Sequence, residues 1–236
     1  MTTHEIVVTD VTCYGQLYCV AGWDRLSDHM IRPEPPGANA KTESSRFWDG
    51  RFAGLGKTFS VGNVVRFVAG PALPDFLFPH ATEDRIVDLG TPMVVLNQLT
   101  PPQIAQAVAT GVSATLNAAF DGALVRPSSR KAYVPMGHYG RSLGAIEIAP
   151  AEITFFENTF DTNKPKLRAR VTSDGNVYDL SVPADATRTR WKVAGLSGLR
   201  ADVQVSNRIH IRVGLSRPFL AKPNDCYSQV NGVLFL

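Results

Sequence analysis

The stretch that most limits what this chain can fold into is residues 207–236. Ile209, Ile211, Val213 and Leu215 alternate with Arg208, His210, Arg212 and Gly214. Alternation with a period of two is the pattern of a strand with one face on a core. Its other face would carry two guanidinium groups and an imidazole. Pro218 has no N–H to give to a ladder and should end the strand. Residues 226–236 are then nearly continuous in apolar side chains, as in a buried closing strand. The arginine-bearing face reads either as a solvated sheet surface or as a surface for a phosphate backbone.

The rest of the chain is also strand-rich. Residues 5–14 are dense in β-branched side chains, and Gly15-Gln16 turns into a second strand at 17–22. Residues 23–33 read as a turn over Ser27-Asp28 and a return strand halted by Pro33. A long loop follows, then a strand at 62–68, a Pro-rich excursion at 70–84 and short strands at 85–89 and 93–96. Thr100 is a good N-cap, and Ile104, Val108, Val112, Leu116 and Phe120 recur near helical spacing, which predicts one helix or two broken near Gly111. A basic loop at Ser128-Ser-Arg-Lys131 precedes His138-Tyr-Gly-Arg-Ser142. Residues 152–160 and 166–171 alternate as strands. Asp174-Gly175 signals a hairpin returning through 176–182, and 187–191 open a short helix or a loop. The expected architecture is mainly β: a barrel over 1–98, a helical linker and loop over 99–144, and a second barrel over 145–236.

The net charge of +3 hides an asymmetry. Residues 164–217 hold eleven Lys or Arg against four Asp, whereas residues 1–163 hold twelve bases against sixteen acids. A basic C-terminal part suits an anionic partner, nucleic acid above all. Three cysteines, Cys13, Cys19 and Cys226, without a CxxC pair argue against a disulfide framework or a zinc site and fit a reducing cytoplasm. No window is long and apolar enough for a membrane helix, and the start has no signal-peptide pattern.

Motifs for chemistry are sparse. Gly54-Leu-Gly-Lys-Thr58 suggests a phosphate loop, but Arg51 stands where the first glycine is needed and no apolar strand precedes it. His80, Glu83 and Asp84 hint at a metal site. No second cluster pairs with them, so they read instead as a capped turn, with the acids pairing to Arg85 or Arg32. No nucleophile–base grouping stands out, so neither a catalytic set nor a cofactor is expected.

Several stretches together resemble the dual OB-containing family of prokaryotic two-barrel proteins. They are Tyr18-Cys-Val-Ala-Gly22 with Met30-Ile-Arg-Pro33, Gly62-Asn-Val-Val65, His80-Ala-Thr-Glu-Asp84, Gly140-Arg-Ser-Leu-Gly144, Arg212-Val-Gly-Leu-Ser-Arg-Pro-Phe219 and Gln229-Val-Asn-Gly232. Where that family tends to place an aromatic residue after a shorter turn, this chain has Met30. The resemblance implies two OB-like barrels and a nucleic-acid-binding role beside anti-invader systems. OB barrels bind single strands with a basic groove and exposed rings. The expected interface, mostly on the C-terminal barrel, is therefore Arg168, Arg170, Arg188, Arg190, Trp191, Arg212, Arg217 and Phe219, with Arg141 in a second loop. The partner would be DNA or RNA, single-stranded, bound without catalysis. The alternative is a structural adaptor that docks a partner enzyme by its sheet edges, since a fold does not choose between these roles.

Overall fold

In the computed structural model, residues 1–74, 76–127, 130–158 and 165–236 are described. Ser128 and Ser129 of the expected basic loop, the last two residues of the strand expected at 152–160, and Lys164 of the base count lie outside them. The chain divides into two compact units, Met1–Gly111 and Val112–Leu236. Residues 99–144, read from sequence as a linker, are thus shared between the units.

The first unit contains β1 (Thr2–Tyr14), β2 (Leu17–Asp24), β3 (His29–Glu34), β4 (Trp48–Asp49), β5 (Asn63–Pro71), β6 (Asp84–Val87), β7 (Val94–Gln98) and α1 (Pro101–Ala107). β1 is long enough to serve two neighbours. Its first half pairs antiparallel with β5 and its second half with β2. A bulge between Val8 and Asp10 lets it bend between them. Gly22 lies at the crossing, where a Cβ would sit 2.5 Å from the Val7 carbonyl oxygen. β2 pairs with β3, β3 runs parallel to β6, and β6 pairs with β5, which returns to β1. The five strands close in the order first-second-third-fifth-fourth. That is an OB-type barrel, and Ile6, Val8, Val11, Val20, Ile31, Trp48, Phe59, Val65 and Phe67 fill it. β7 stands outside the closure, at the sheet edge on β5.

The second unit contains β8 (Val112–Ser113), β9 (Tyr133–Pro135), β10 (Leu143–Ile148), β11 (Ile153–Asn158), β12 (Lys166–Ser173), β13 (Asn176–Ser181), α2 (Asp185–Val205), β14 (Ile209–Leu215) and β15 (Asp225–Phe235). β10 and β11 are joined by a 3-10 turn at Pro150–Glu152 and act as one bent first strand. β10 pairs with β14 and β11 with β12. Asp174 and Gly175 take φ of 53° and 67° in the tight β12–β13 hairpin, the left-handed geometry an Asp-Gly turn supplies. β13 is parallel to β15, which pairs with β14. The same barrel order is thus built a second time.

One helical expectation fails and another falls short. Thr100 caps α1 through Gln103 as expected, but the helix stops at Ala107. A 3-10 turn at Ala109–Gly111 ends the stretch at the expected break, Val112 and Ser113 instead join the second unit's sheet beside Ala145 and Ile146, and a further 3-10 turn lies at Ala118–Phe120. The near-helical spacing of Val108, Val112, Leu116 and Phe120 runs across the boundary between the two units. Conversely, residues 187–191 belong to a helical stretch of 21 residues, α2, broken at Gly195 with φ 65°. It has no continuous apolar stripe: only Thr187 and Leu199 are buried, while Val193 and Val205 face solvent. Tertiary contacts of Trp191, Leu196 and Val203 hold it, not its own pattern.

Candidate functional site

The arginine face of β14 is not available to a ligand. All seven residues of β14 are buried, and Arg212 is 1% exposed. Alternation predicted one wet face, but β14, paired with β10 and β15 along its edges, is buried on both faces. Arg212 is therefore corrected from interface to interior. Its neighbour His210 is buried as well. Burial, together with the Arg212 and Arg208 charges, pulls the imidazole pKa down to about 3, although Glu147 Oε1 lies 3.3 Å from Nδ1. An unfolded chain takes up this proton near pH 6.5 and the folded one does not until far lower. Stability should fall as pH drops from 6.5 towards 3, by up to about 1.4 kcal/mol per pH unit. Urea unfolding of the wild type and His210→Gln at pH 7 and 4.5 tests this; the variant should lose part of the slope.

The other expected residues divide. Arg170 forks onto Asp179 at 2.8 and 3.2 Å, with Phe156 beneath it. Arg190 forks onto Asp202 at 2.8 Å twice, which ties the two arms of α2 across Gly195. Arg141 bonds Asp121 Oδ1 at 2.7 Å and the Ala118 carbonyl, and so closes its own loop. Trp191 packs on the core and donates Nε1–H to Glu157 at 2.9 Å. Such exposed pairs add little stability, but each cancels the charge the interface was to use. Arg188 sits half-buried on α2 and Arg217 half-buried beyond β14. The single trough of arginines expected from sequence is not formed.

What forms instead is a cleft of about 470 Å³ on the outer face of β12 and β13. Its walls include Arg168 from β12, Asp179 and Ser181 from β13, Phe219 and Lys222 from the β14–β15 loop, Tyr227 from β15, and Lys131. Arg168 is partly buried and donates Nη2–H to the Asp179 carbonyl oxygen at 2.6 Å. Burial lowers its pKa against the pull of Asp179, so its charge is poorly solvated. A tight turn, in which the Lys222 N–H donates to the Phe219 carbonyl at 2.7 Å, sets both residues on the wall of the cleft. Phe219 is 51% exposed and lies 6.0 Å from Tyr227, itself 5.7 Å from Tyr133. Sequence reading had placed Arg168 and Phe219 among the interface residues and missed Lys131, Tyr133, Lys222 and Tyr227. Only the β9–β15 pairing sets the two tyrosines side by side, and no local pattern announces it.

The sequence profile of the dual OB-containing domain matches residues 4–233. The chain belongs to the dual OB-containing domain family. No curated protein sequence matches it.

In this dual-OB chain the two barrels treat the same face differently. Arg32 stands on the third strand of the first barrel, in register with Asp84 of the fifth, as Ser181 stands with Gln229 in the second. There the outer face is filled from within. Asp84 accepts from Arg32 at 2.6 Å and from Arg46 at 2.7 Å, Glu34 accepts from Arg46 at 3.1 Å, and the Arg46 guanidinium lies 3.6 Å from the Phe76 ring centre. Burial works against the Arg32 charge, but Asp84 overrides it and holds the guanidinium well above its ordinary pKa. The Asp84 of the supposed metal trio is thus committed to two arginines. Cys13 and Cys19 pair in register with Tyr18 and Thr12, so they point to opposite faces of the hairpin. Among the described residues, no helix is long and apolar enough to cross a membrane.

Proposed function

We propose that this protein binds single-stranded nucleic acid through the cleft of its second barrel and performs no chemistry on it. The observation that carries this reading is the half-exposed Phe219 ring beside Arg168, Lys131 and Lys222, on the strand-two, strand-three and fourth-loop face where OB barrels take oligonucleotides. The ion pairs of this unit engage Arg141, Arg170, Arg190 and Arg208. Among the described residues they do not engage Lys131 or Lys222, whose charges stay available to phosphate. An exposed ring offers a stacking face that paired bases cannot use, which favours an unpaired strand over a duplex. Family membership alone supports a place beside prokaryotic anti-invader systems.

Fluorescence anisotropy with labelled DNA and RNA oligonucleotides tests the proposal. Phe219→Ala should weaken binding about 5–150-fold, the loss of one base stack. Lys131→Ala and Lys222→Ala should each lower the log–log salt slope by about 0.7 per lost phosphate contact. Unaltered binding and slope in all three variants would remove the cleft from consideration.

One observation favours the adaptor reading beside this one. β7 is an edge strand with Val94, Val95 and Leu96 exposed by 48, 46 and 40%, and residues 89–120 carry no charged side chain. An uncharged apolar edge suits an extended strand of a partner protein.

A further inference from the structure

We infer that the cleft of the second barrel takes one nucleotide bearing a terminal phosphate, as a free nucleotide or as the phosphorylated end of a strand, and not a run of nucleotides. This rests on the nucleic-acid reading above and narrows its ligand. A sequence-tolerant OB track spans about 4–16 nucleotides. The cleft, at about 470 Å³, instead has the size of a site for one small molecule, for which about 300–1,000 Å³ is usual.

Its walls are fixed as those of a pocket are. Ser228 donates both its backbone N–H, at 2.9 Å, and its hydroxyl, at 3.1 Å, to the Ala132 carbonyl, which anchors the segment carrying Lys131. The Phe219–Lys222 bridge folds the β14–β15 loop back on itself. Arg168 is held from behind by the Asp179 carbonyl, and the Asp179 carboxylate is occupied by Arg170.

Charge decides between an internal and a terminal phosphate. Lys131, Arg168 and Lys222 bring three cations to one pocket, and its single carboxylate is already paired. An internal phosphodiester carries one negative charge. A terminal phosphate carries about −1.5 to −2 near pH 7 and offers three acceptor oxygens. Three cations in so small a space match the terminal group better. Phe219, exposed on the same rim, would take the base.

The full chain is tested by displacement of an internally labelled linear 12-mer. Competitors are nucleoside monophosphates, the linear 12-mer with a 5′-phosphate, a 3′-phosphate or hydroxyl ends, and the same sequence circularised. The phosphorylated linear strand, the mononucleotide or both should compete at least about tenfold better than the circle, one phosphate or stacking contact being worth about that much. Lys222→Ala should erase the difference, with the wild-type circular dichroism spectrum kept because its side chain is exposed. A mononucleotide as effective as the strand end identifies a free-nucleotide ligand; a stronger strand end identifies an end-binding role. Equal competition by circular and linear strands with no effect of mononucleotide overturns the inference, while the broader reading stands. Binding untouched by both Phe219→Ala and Lys222→Ala overturns both.

Discussion

Asp84→Ala should cost the first unit about 3–5 kcal/mol, the usual loss when one partner of a buried ionic cluster is removed. Asp84 is fully buried, and its two oxygens accept from Arg32 and Arg46, which are themselves 4% and 9% exposed. The substitution leaves two guanidinium groups in a dry site without the carboxylate that bridges them. At roughly 4–8 °C per kcal/mol for a unit near this size, the melting temperature of the first unit should fall by about 12–40 °C. Asp84→Asn, which keeps one acceptor oxygen, should fall between. The cluster is not needed for stability as such. Replacing Asp84, Arg32 and Arg46 together by apolar residues of similar volume should restore much of the loss. A melting temperature for Asp84→Ala within a few degrees of the wild type would show that the cluster is solvated and that the first barrel's outer face is open.

Arg212→Glu should be the second large effect, and it separates fold from interface. The position is 1% exposed, within a strand buried along its whole length. A carboxylate there meets burial without the arginine's contacts, at a cost of roughly 3–5 kcal/mol. Loss of nucleic-acid binding in this variant would accompany loss of structure and would say nothing about contact. Lys222→Glu supplies the contrast: its side chain is exposed on the cleft rim, so its circular dichroism and melting should match the wild type while binding drops. If Arg212→Glu instead melts like the wild type and loses binding, the face of β14 is the interface and the cleft is not.

Local chemistry made parts of the fold readable. Asp174-Gly175 announced a hairpin because both residues tolerate the left-handed backbone that a two-residue turn demands. Thr100 announced the start of α1 because its backbone and side chain can pair with Gln103. The end of that helix was not readable, since nothing local says that Val112 and Ser113 gain more as a sheet rung beside Ala145 and Ile146 than as a third helical turn. Nor was the length of α2, whose helical propensity is interrupted by Gly195 and Gly198 and whose anchor residues, Trp191, Leu196 and Val203, touch a core assembled from distant strands.

The candidate site shows the same division. That residues 164–217 are basic was plain from the chain. Which of those charges survive was decided by side chains meeting across the fold, Asp179 with Arg170 and Asp202 with Arg190. By itself the sequence determined most of the longer strands, the Asp174-Gly175 turn and the two-barrel architecture, because period, turn chemistry and β-propensity act between neighbours. Only the tertiary structure decided that Arg212 is interior, that one barrel fills its outer face and the other leaves a cleft, and that Tyr133, Phe219 and Tyr227 stand together. Burial and charge pairing depend on distances in space, and residues far apart in the chain supply both partners.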